Sequence, residues 1–210
     1  ERVLFQAVRT YGRPVPARCA FGKPGDPVAL SDNLSPHLAW KDAPPATRSY
    51  VLTCIDSDVP SRGDDVNQDD RVVPADLPRV EFVHWLMADI PVEYTELAEG
   101  ACSDGIVAHG KRAPSGPPGS VQGKNDYTGW FHGDKDMGGE YLGYDGPCPP
   151  WNDERVHHYH FRVHALDVEK LNLADGFTLD ELRKVMHGHV LAQAEIVGTY
   201  AIYGKAVVRA

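Results

Sequence analysis

Residues 156–166 read VHHYHFRVHAL, and this stretch decides the fold. In an extended strand, successive side chains point to opposite faces. His157, Tyr159, Phe161, Val163 and Ala165 then share one face, which turns apolar along its length and is expected to meet a core. His158, His160, Arg162 and His164 share the other, which reads as solvated. Working outward, residues 49–55 (SYVLTCI) are β-branched and apolar and predict a second strand. Residues 81–88 (EFVHWLMA) are apolar on both faces, the mark of a central, covered strand. Strict alternation there places Phe82, His84, Leu86 and Ala88 on one face and Val83, Trp85 and Met87 on the other. Residues 196–208 (IVGTYAIYGKAVV) predict a late strand or strand pair broken at Gly198 and Gly204, and residues 4–8 an early strand.

Helical signals are few. Thr178-Leu-Asp-Glu181 matches a capping box, so a helix is expected over 179–187 with Gly188 as its stop. A second short helix is expected over 168–171. The 20 glycines and 17 prolines are spread along the whole chain and punctuate the strands with turns. The expected class is therefore mainly β, an antiparallel β sandwich with a few short helices, formed by residues 1–210 as a single domain. The long segments 60–78 and 111–150 are expected to be functional loops.

The formal net charge is −9 over 210 residues. Nonspecific nucleic-acid binding requires a basic surface that displaces counterions from phosphates, and this chain lacks one. Electrostatic docking on anionic membranes is disfavoured for the same reason. No stretch is apolar for long enough to span a bilayer, and the sequence as given shows no signal peptide, although a cleaved one would leave no trace; a cytoplasmic location is expected, with a periplasmic or secreted one as the alternative. The four cysteines, Cys19, Cys54, Cys102 and Cys148, form no CxxC pair and predict no zinc site. Cys54 reads as a buried thiol. Four free thiols suit a reducing compartment, with two disulfides as the alternative.

Four features carry candidate chemistry. Asp56-Ser57-Asp58-Val59-Pro60 closes a strand with carboxylates at i and i+2. They can accept hydrogen bonds, hold a cation or orient a histidine, or they simply form an Asx turn closed by proline. His84, inside a desolvated strand, needs a partner for its ring, either a pocket ligand or a backbone carbonyl. His157 and Tyr159 sit where the buried face meets the preceding loop and can aim a ring N–H and a phenol O–H into a pocket. His158 and His160 have i, i+2 metal-chelating spacing but no specified third ligand, and a wet polar face explains them. Tyr141-Leu-Gly143-Tyr-Asp-Gly146-Pro-Cys-Pro149-Pro150 predicts a rigid irregular loop able to direct backbone N–H groups at an anion.

In order along the chain, Asn33-Leu-Ser-Pro-His-Leu-Ala-Trp40, Asp56-Ser-Asp-Val-Pro60, Val83-His-Trp-Leu86, Gly146-Pro-Cys-Pro-Pro150, His157-His-Tyr159 and Gly188-His-Val-Leu-Ala-Gln-Ala-Glu195 resemble the phosphatidylethanolamine-binding protein family. The likeness is greatest to its bacterial branch, the Raf kinase inhibitor-like proteins. The resemblance implies a large central sheet packed on a smaller one. It also implies a small pocket for phosphate-like anions or phosphoethanolamine head groups, lined by Asp56, Asp58, His84, Tyr141, Gly143, Gly146, Pro149, Pro150, His157 and Tyr159. It further suggests a homodimer and a possible protein partner, since eukaryotic relatives inhibit kinases and a carboxypeptidase. Departures are visible: Ser57 replaces the usual proline between the aspartates, His158 stands where arginine is common, and the loop after Pro60 is long.

The expected function is non-catalytic binding, with neither cofactor nor metal. His84 and His157 would donate ring N–H groups and Tyr159 its phenol to anion oxygens, so affinity should rise below about pH 6.5. Asp56 would fix one histidine's tautomer, and Asp58 would brace the loop or meet an ammonium group. An inhibitor module docking through the same pocket is one alternative. A weak hydrolase using Asp, His and Tyr is another, although no GxSxG nucleophile elbow is present.

Overall fold

A computed structural model describes residues 6–8 and 13–209. Three strands form its centre: β5 (Ser49–Pro60), β6 (Arg79–Pro91) and β9 (His157–Leu166). With β10 (Val190–Tyr200) and β8 (Val121–Gln122) they make a five-stranded sheet of order β10-β9-β5-β6-β8, each described pairing antiparallel. A three-stranded sheet joins β1 (Gln6–Val8), β4 (Leu38–Lys41) and β7 (Glu96–Leu97). A small hairpin pairs β2 (Gly22–Pro24) with β3 (Val28–Leu30).

The sandwich core lies between the two larger sheets. Leu52, Cys54, Trp85, Met87, Phe161 and Val163 of the large sheet pack with Leu38 and Trp40 of the smaller one. On the outer face, Val51, Val83, Leu86 and Leu166 are covered by Leu171, Phe177 and the apolar side of α2 (Leu179–Met186). Central strands buried on both sides are the physical reason that residues 81–88 show no polar face. α2 begins as its capping box predicts, with the Thr178 side chain accepting from the Glu181 N–H at 3.2 Å.

Several expectations are corrected. The alternation in β6 breaks at His84: Cys54 pairs with Trp85 but Ile55 pairs with Val83, so His84 is the extra residue of a β-bulge. A bulge places consecutive residues on one side of the sheet. His84 therefore faces Tyr159, with ring centroids 5.2 Å apart, while Leu86 and Ala88 join Val83 on the outer face. Residues 168–171 are not helical. The Val168 carbonyl accepts from Ser49 Oγ and the Leu171 N–H donates to Asp89 Oδ1, so neighbouring side chains have taken the groups a helix would need. His164 is buried rather than solvated, because this end of the outer face is covered. The late strand starts earlier than expected, ends at Tyr200, and is not interrupted at Gly198, where a Cβ would lie 2.6 Å from Val15 Cγ2. The early strand is described from Gln6 onward; residues 4 and 5 lie outside the described residues. A short helix, α1 (Tyr127–Trp130), and a 3-10 turn (Ala17–Cys19) carry no signal recognised in the sequence. All four cysteines are free thiols, and Cys54 is fully buried.

Candidate functional site

At one end of the sandwich, the inward faces of β5, β6 and β9 stop short of the smaller sheet and floor a cavity of about 350 Å³. Asp56, His84, His157 and Tyr159 form its polar floor, and Pro149 and Pro150 part of its wall. These six of the expected residues come together. The other four do not line it. Asp58 accepts from the ring and backbone N–H of His158 and lies 3.3 Å from Arg155 Nη1, so it braces the loop. The Tyr141 hydroxyl donates to the Met137 carbonyl. Gly143 pairs with Gly123 through its N–H, and Gly146 donates to Asn33 Oδ1.

His157 is committed on both sides. Its Nδ1 lies 2.6 Å from Asp56 Oδ2 and its Nε2 2.7 Å from Asp153 Oδ2, all three side chains being 1–2% exposed. Burial alone would depress its pKa, but the two carboxylates outweigh burial and raise it to about 9. It is thus an imidazolium between carboxylates, with no N–H left for a ligand. Asp153 is completed by Arg79, at 2.6 Å, and burial notwithstanding, His157 and Arg79 hold its pKa below the usual carboxylate range. Arg79 also donates to the carbonyls of Asp58, Pro74 and Leu77, and Asn152 to those of Asp65 and Arg71. These bonds fix the long loop after Pro60, whose Arg62, Gly63, Val66 and Asn67 extend the cavity wall.

His84 is anchored differently. Its Nδ1 lies 2.7 Å from the Asp145 carbonyl oxygen, and the Asp145 N–H donates back to the His84 carbonyl at 3.2 Å. The Asp145 carboxylate accepts from Asn33 and Asn125 Nδ2, each at 2.8 Å, and pairs with Lys111 Nζ at 3.1 Å. Burial lowers the His84 pKa, against the pull of Asp56 and the other nearby carboxylates. Tyr159 is fully buried, which raises its pKa and keeps its phenol protonated; its hydroxyl has no hydrogen-bond partner among the described residues.

Above this floor the walls are apolar and aromatic: Phe21, Phe82, Tyr127, Trp130 and Phe131. Phe21 stacks on Tyr127 with centroids 4.7 Å apart, and Trp130 remains 58% exposed at the rim. Cys148 also lines the cavity; the residue is exposed on one side, while the surroundings of its sulfur desolvate the thiol and push its pKa up. Ser57 Oγ lies 3.1 Å from His160 Nε2, and His160 Nδ1 3.3 Å from Glu195, but none of these lines the cavity and Glu195 is held by Arg162. Among the described residues no group of three or more His, Cys, Asp and Glu is placed to hold a metal, and no helix is long and apolar enough to cross a membrane.

Asp153, Arg79, Asp145 and the aromatic walls were not found from the sequence. The only local signal was the spacing Asp153 to His157, which continues a tight turn into β9.

The phosphatidylethanolamine-binding protein family matches residues 6–201, and the chain belongs to that family. It is 33% identical over 169 residues to the UPF0098 protein of Methanothermobacter thermautotrophicus, covering 80% of this chain and 83% of that one. It is 31% identical over 170 residues to UPF0098 protein YbhB of Escherichia coli, covering 81% and 83%. Its fold is similar to the crystal structure of Escherichia coli YbcL, described as a new member of the mammalian PEBP family. The TM-score is 0.67 at 26% identity, covering 94% of this chain and 98% of YbcL. The Chlamydia trachomatis protein CT736 gives a TM-score of 0.63 at 28% identity, covering 95% and 98%. Membership supports a non-catalytic binding role.

Proposed function

We propose that the cavity binds phosphate-type anions, including phosphoethanolamine head groups, and performs no catalysis. One observation carries the reading: Tyr159 lines the same cavity as His84, and its buried hydroxyl has no hydrogen-bond partner among the described residues. Buried polar groups are ordinarily hydrogen-bonded, so this phenol is reserved for an incoming acceptor. The aromatic walls accommodate whatever apolar group the anion carries.

Calorimetric titration with phenyl phosphate tests this. Tyr159→Phe removes one hydrogen bond to a charged ligand and should weaken binding at least tenfold, corresponding to about 1.5–3 kcal/mol. The fold should lose no stability, because that buried hydroxyl bonds nothing among the described residues. Unchanged affinity would refute the assignment.

Free thiols at all four cysteines support a cytoplasmic setting as part of the same reading. Kinship with the bacterial Raf kinase inhibitor-like branch and a homodimeric state belong to it through the resemblance alone. The exposed Trp130 beside the mouth favours a second reading, in which a partner protein docks its anionic segment here. Capture of that partner should be lost on adding phosphate.

A further inference from the structure

Outside the cavity, three polar side chains meet across neighbouring strands on the outer face of the large sheet: Ser57 of β5, His160 of β9 and Glu195 of β10. Ser57 Oγ is 3.1 Å from His160 Nε2, and His160 Nδ1 is 3.3 Å from Glu195 Oε1. A carboxylate only accepts, so the neutral ring carries its proton on Nδ1 and presents a lone pair at Nε2. The Ser57 hydroxyl donates to that lone pair. Nucleophile, base and orienting carboxylate in this order are the arrangement that activates a serine, whatever fold carries it.

The neighbours hold the three groups in place. Arg162 Nε donates to the other Glu195 oxygen, Oε2, at 2.9 Å. Burial would raise the Glu195 pKa, but the hydrogen bonds from Arg162 and His160 outweigh it and hold the carboxyl below its usual range. Ser57 has a second acceptor in Asp58 Oδ2, but at 3.4 Å this is farther than Nε2, and it already receives the His158 ring. The His160 side chain is 30% exposed, whereas Ser57 is open to solvent and can be reached. Ile55 and Val197, the cross-strand partners of His160, are half-buried and offer apolar ground on either side of its ring.

We propose that Ser57 is an acyl-accepting nucleophile with His160 as its base, and that this face hydrolyses aryl esters of short carboxylic acids. Ser57 Oγ adds to the ester carbonyl carbon while its proton passes to His160 Nε2. The bond from that carbon to the aryl oxygen then breaks, and the aryl oxygen leaves with the electron pair and takes the proton from His160. Water reverses the exchange: it gives a proton to His160, adds to the acyl carbon, and the acid departs as Ser57 Oγ regains its proton. Ester and water become acid and phenol, with no other reactant. The face is open, which suits a leaving group that departs readily, and Ile55 and Val197 suit a short acyl chain. Glu195 acts through His160 and is a positioning residue. The site is separate from the cavity and does not rest on the anion-binding reading.

The test is release of p-nitrophenol from p-nitrophenyl acetate by the whole chain, with peptide mapping of acid-quenched protein by mass spectrometry. Release above the buffer rate is expected, with an acetyl group on the peptide that carries Ser57. Ser57→Ala should abolish both, and His160→Phe should slow release by about a hundredfold. Glu195→Leu should lower kcat about tenfold at unchanged KM, and Glu195→Gln, which still accepts from Nδ1–H, should recover most of that loss. Release that survives Ser57→Ala, acetyl groups only on other residues, or no release above buffer would overturn the proposal. Should a variant not fold, as judged by circular dichroism, the position of the acetyl group on the wild-type protein decides the matter.

Discussion

Replacing His157 by phenylalanine tests the electrostatic frame beneath the cavity. The ring volume is nearly kept, but both N–H donors vanish. Asp153 retains Arg79 at 2.6 Å, whereas Asp56 keeps only the Asp58 N–H at 2.7 Å, at 2% exposure. Removing one partner of a buried ion pair costs about 3–5 kcal/mol, because the other charge is left desolvated. Against a typical domain stability of about 5–15 kcal/mol this is a large fraction.

The pH dependence gives a sharper signature. The His157 pKa is raised from 6.5 to about 9 in the folded protein. Its stabilisation is fully present below pH 6.5 and is lost as pH rises from 6.5 through 9, on the order of 3 kcal/mol in all. The gap between wild type and His157→Phe should therefore be widest near pH 6.5 and shrink toward pH 9. Urea denaturation followed by circular dichroism at pH 6.5, 7.5 and 9 measures it. A gap below about 1 kcal/mol at pH 6.5, or one that does not narrow on alkalisation, would refute the reasoning.

Two further outcomes follow from other residues. His164 is buried with an unpartnered Nδ1, and burial, with Arg162 nearby, lowers its pKa to about 4. Stability should thus decline as pH falls from 6.5 toward 4, and His164→Leu should remove on the order of 2 kcal/mol of that decline between pH 7 and 4.5 in paired urea titrations. At Gly146 an added Cβ would lie 2.2 Å from the Cys19 carbonyl oxygen, so Gly146→Ala forces backbone apart. Its melting temperature should fall by several degrees, corresponding to about 1–3 kcal/mol or more, whereas Gly129→Ala, which meets nothing within 4 Å, should change it little.

The fold was legible where one periodicity governs a whole element. The apolar face of residues 157–165 and the Thr178 cap identify β9 and α2 without tertiary information. The bulge at His84 was not legible, because nothing in EFVHWLMA says that β5 skips a partner there; the extra residue is set by pairing between strands far apart in sequence. The same limit governed the site. Strand periodicity turned His157 and Tyr159 inward, but Asp56 and His84 joined them only through the family resemblance. Their roles could not be read from either, because those depend on Asp153 and Asp145, which approach from loops. The residues alone make both histidines candidate donors; the partners on those loops make His157 a charged strut and hold His84 Nδ1 against the Asp145 carbonyl.

The Asp145 network has a consequence for how the cavity fills. Its carboxylate gathers Asn33, Lys111 and Asn125, and its own peptide groups pair with His84. The rear of the cavity is thus built from protein–protein bonds, and no ligand is needed to assemble it. Under the proposed function, an arriving anion would spend little of its interaction free energy on ordering the chain. Binding should behave as lock-and-key, and any rise in melting temperature on adding ligand should follow simple mass action, without a second folding event hidden beneath it.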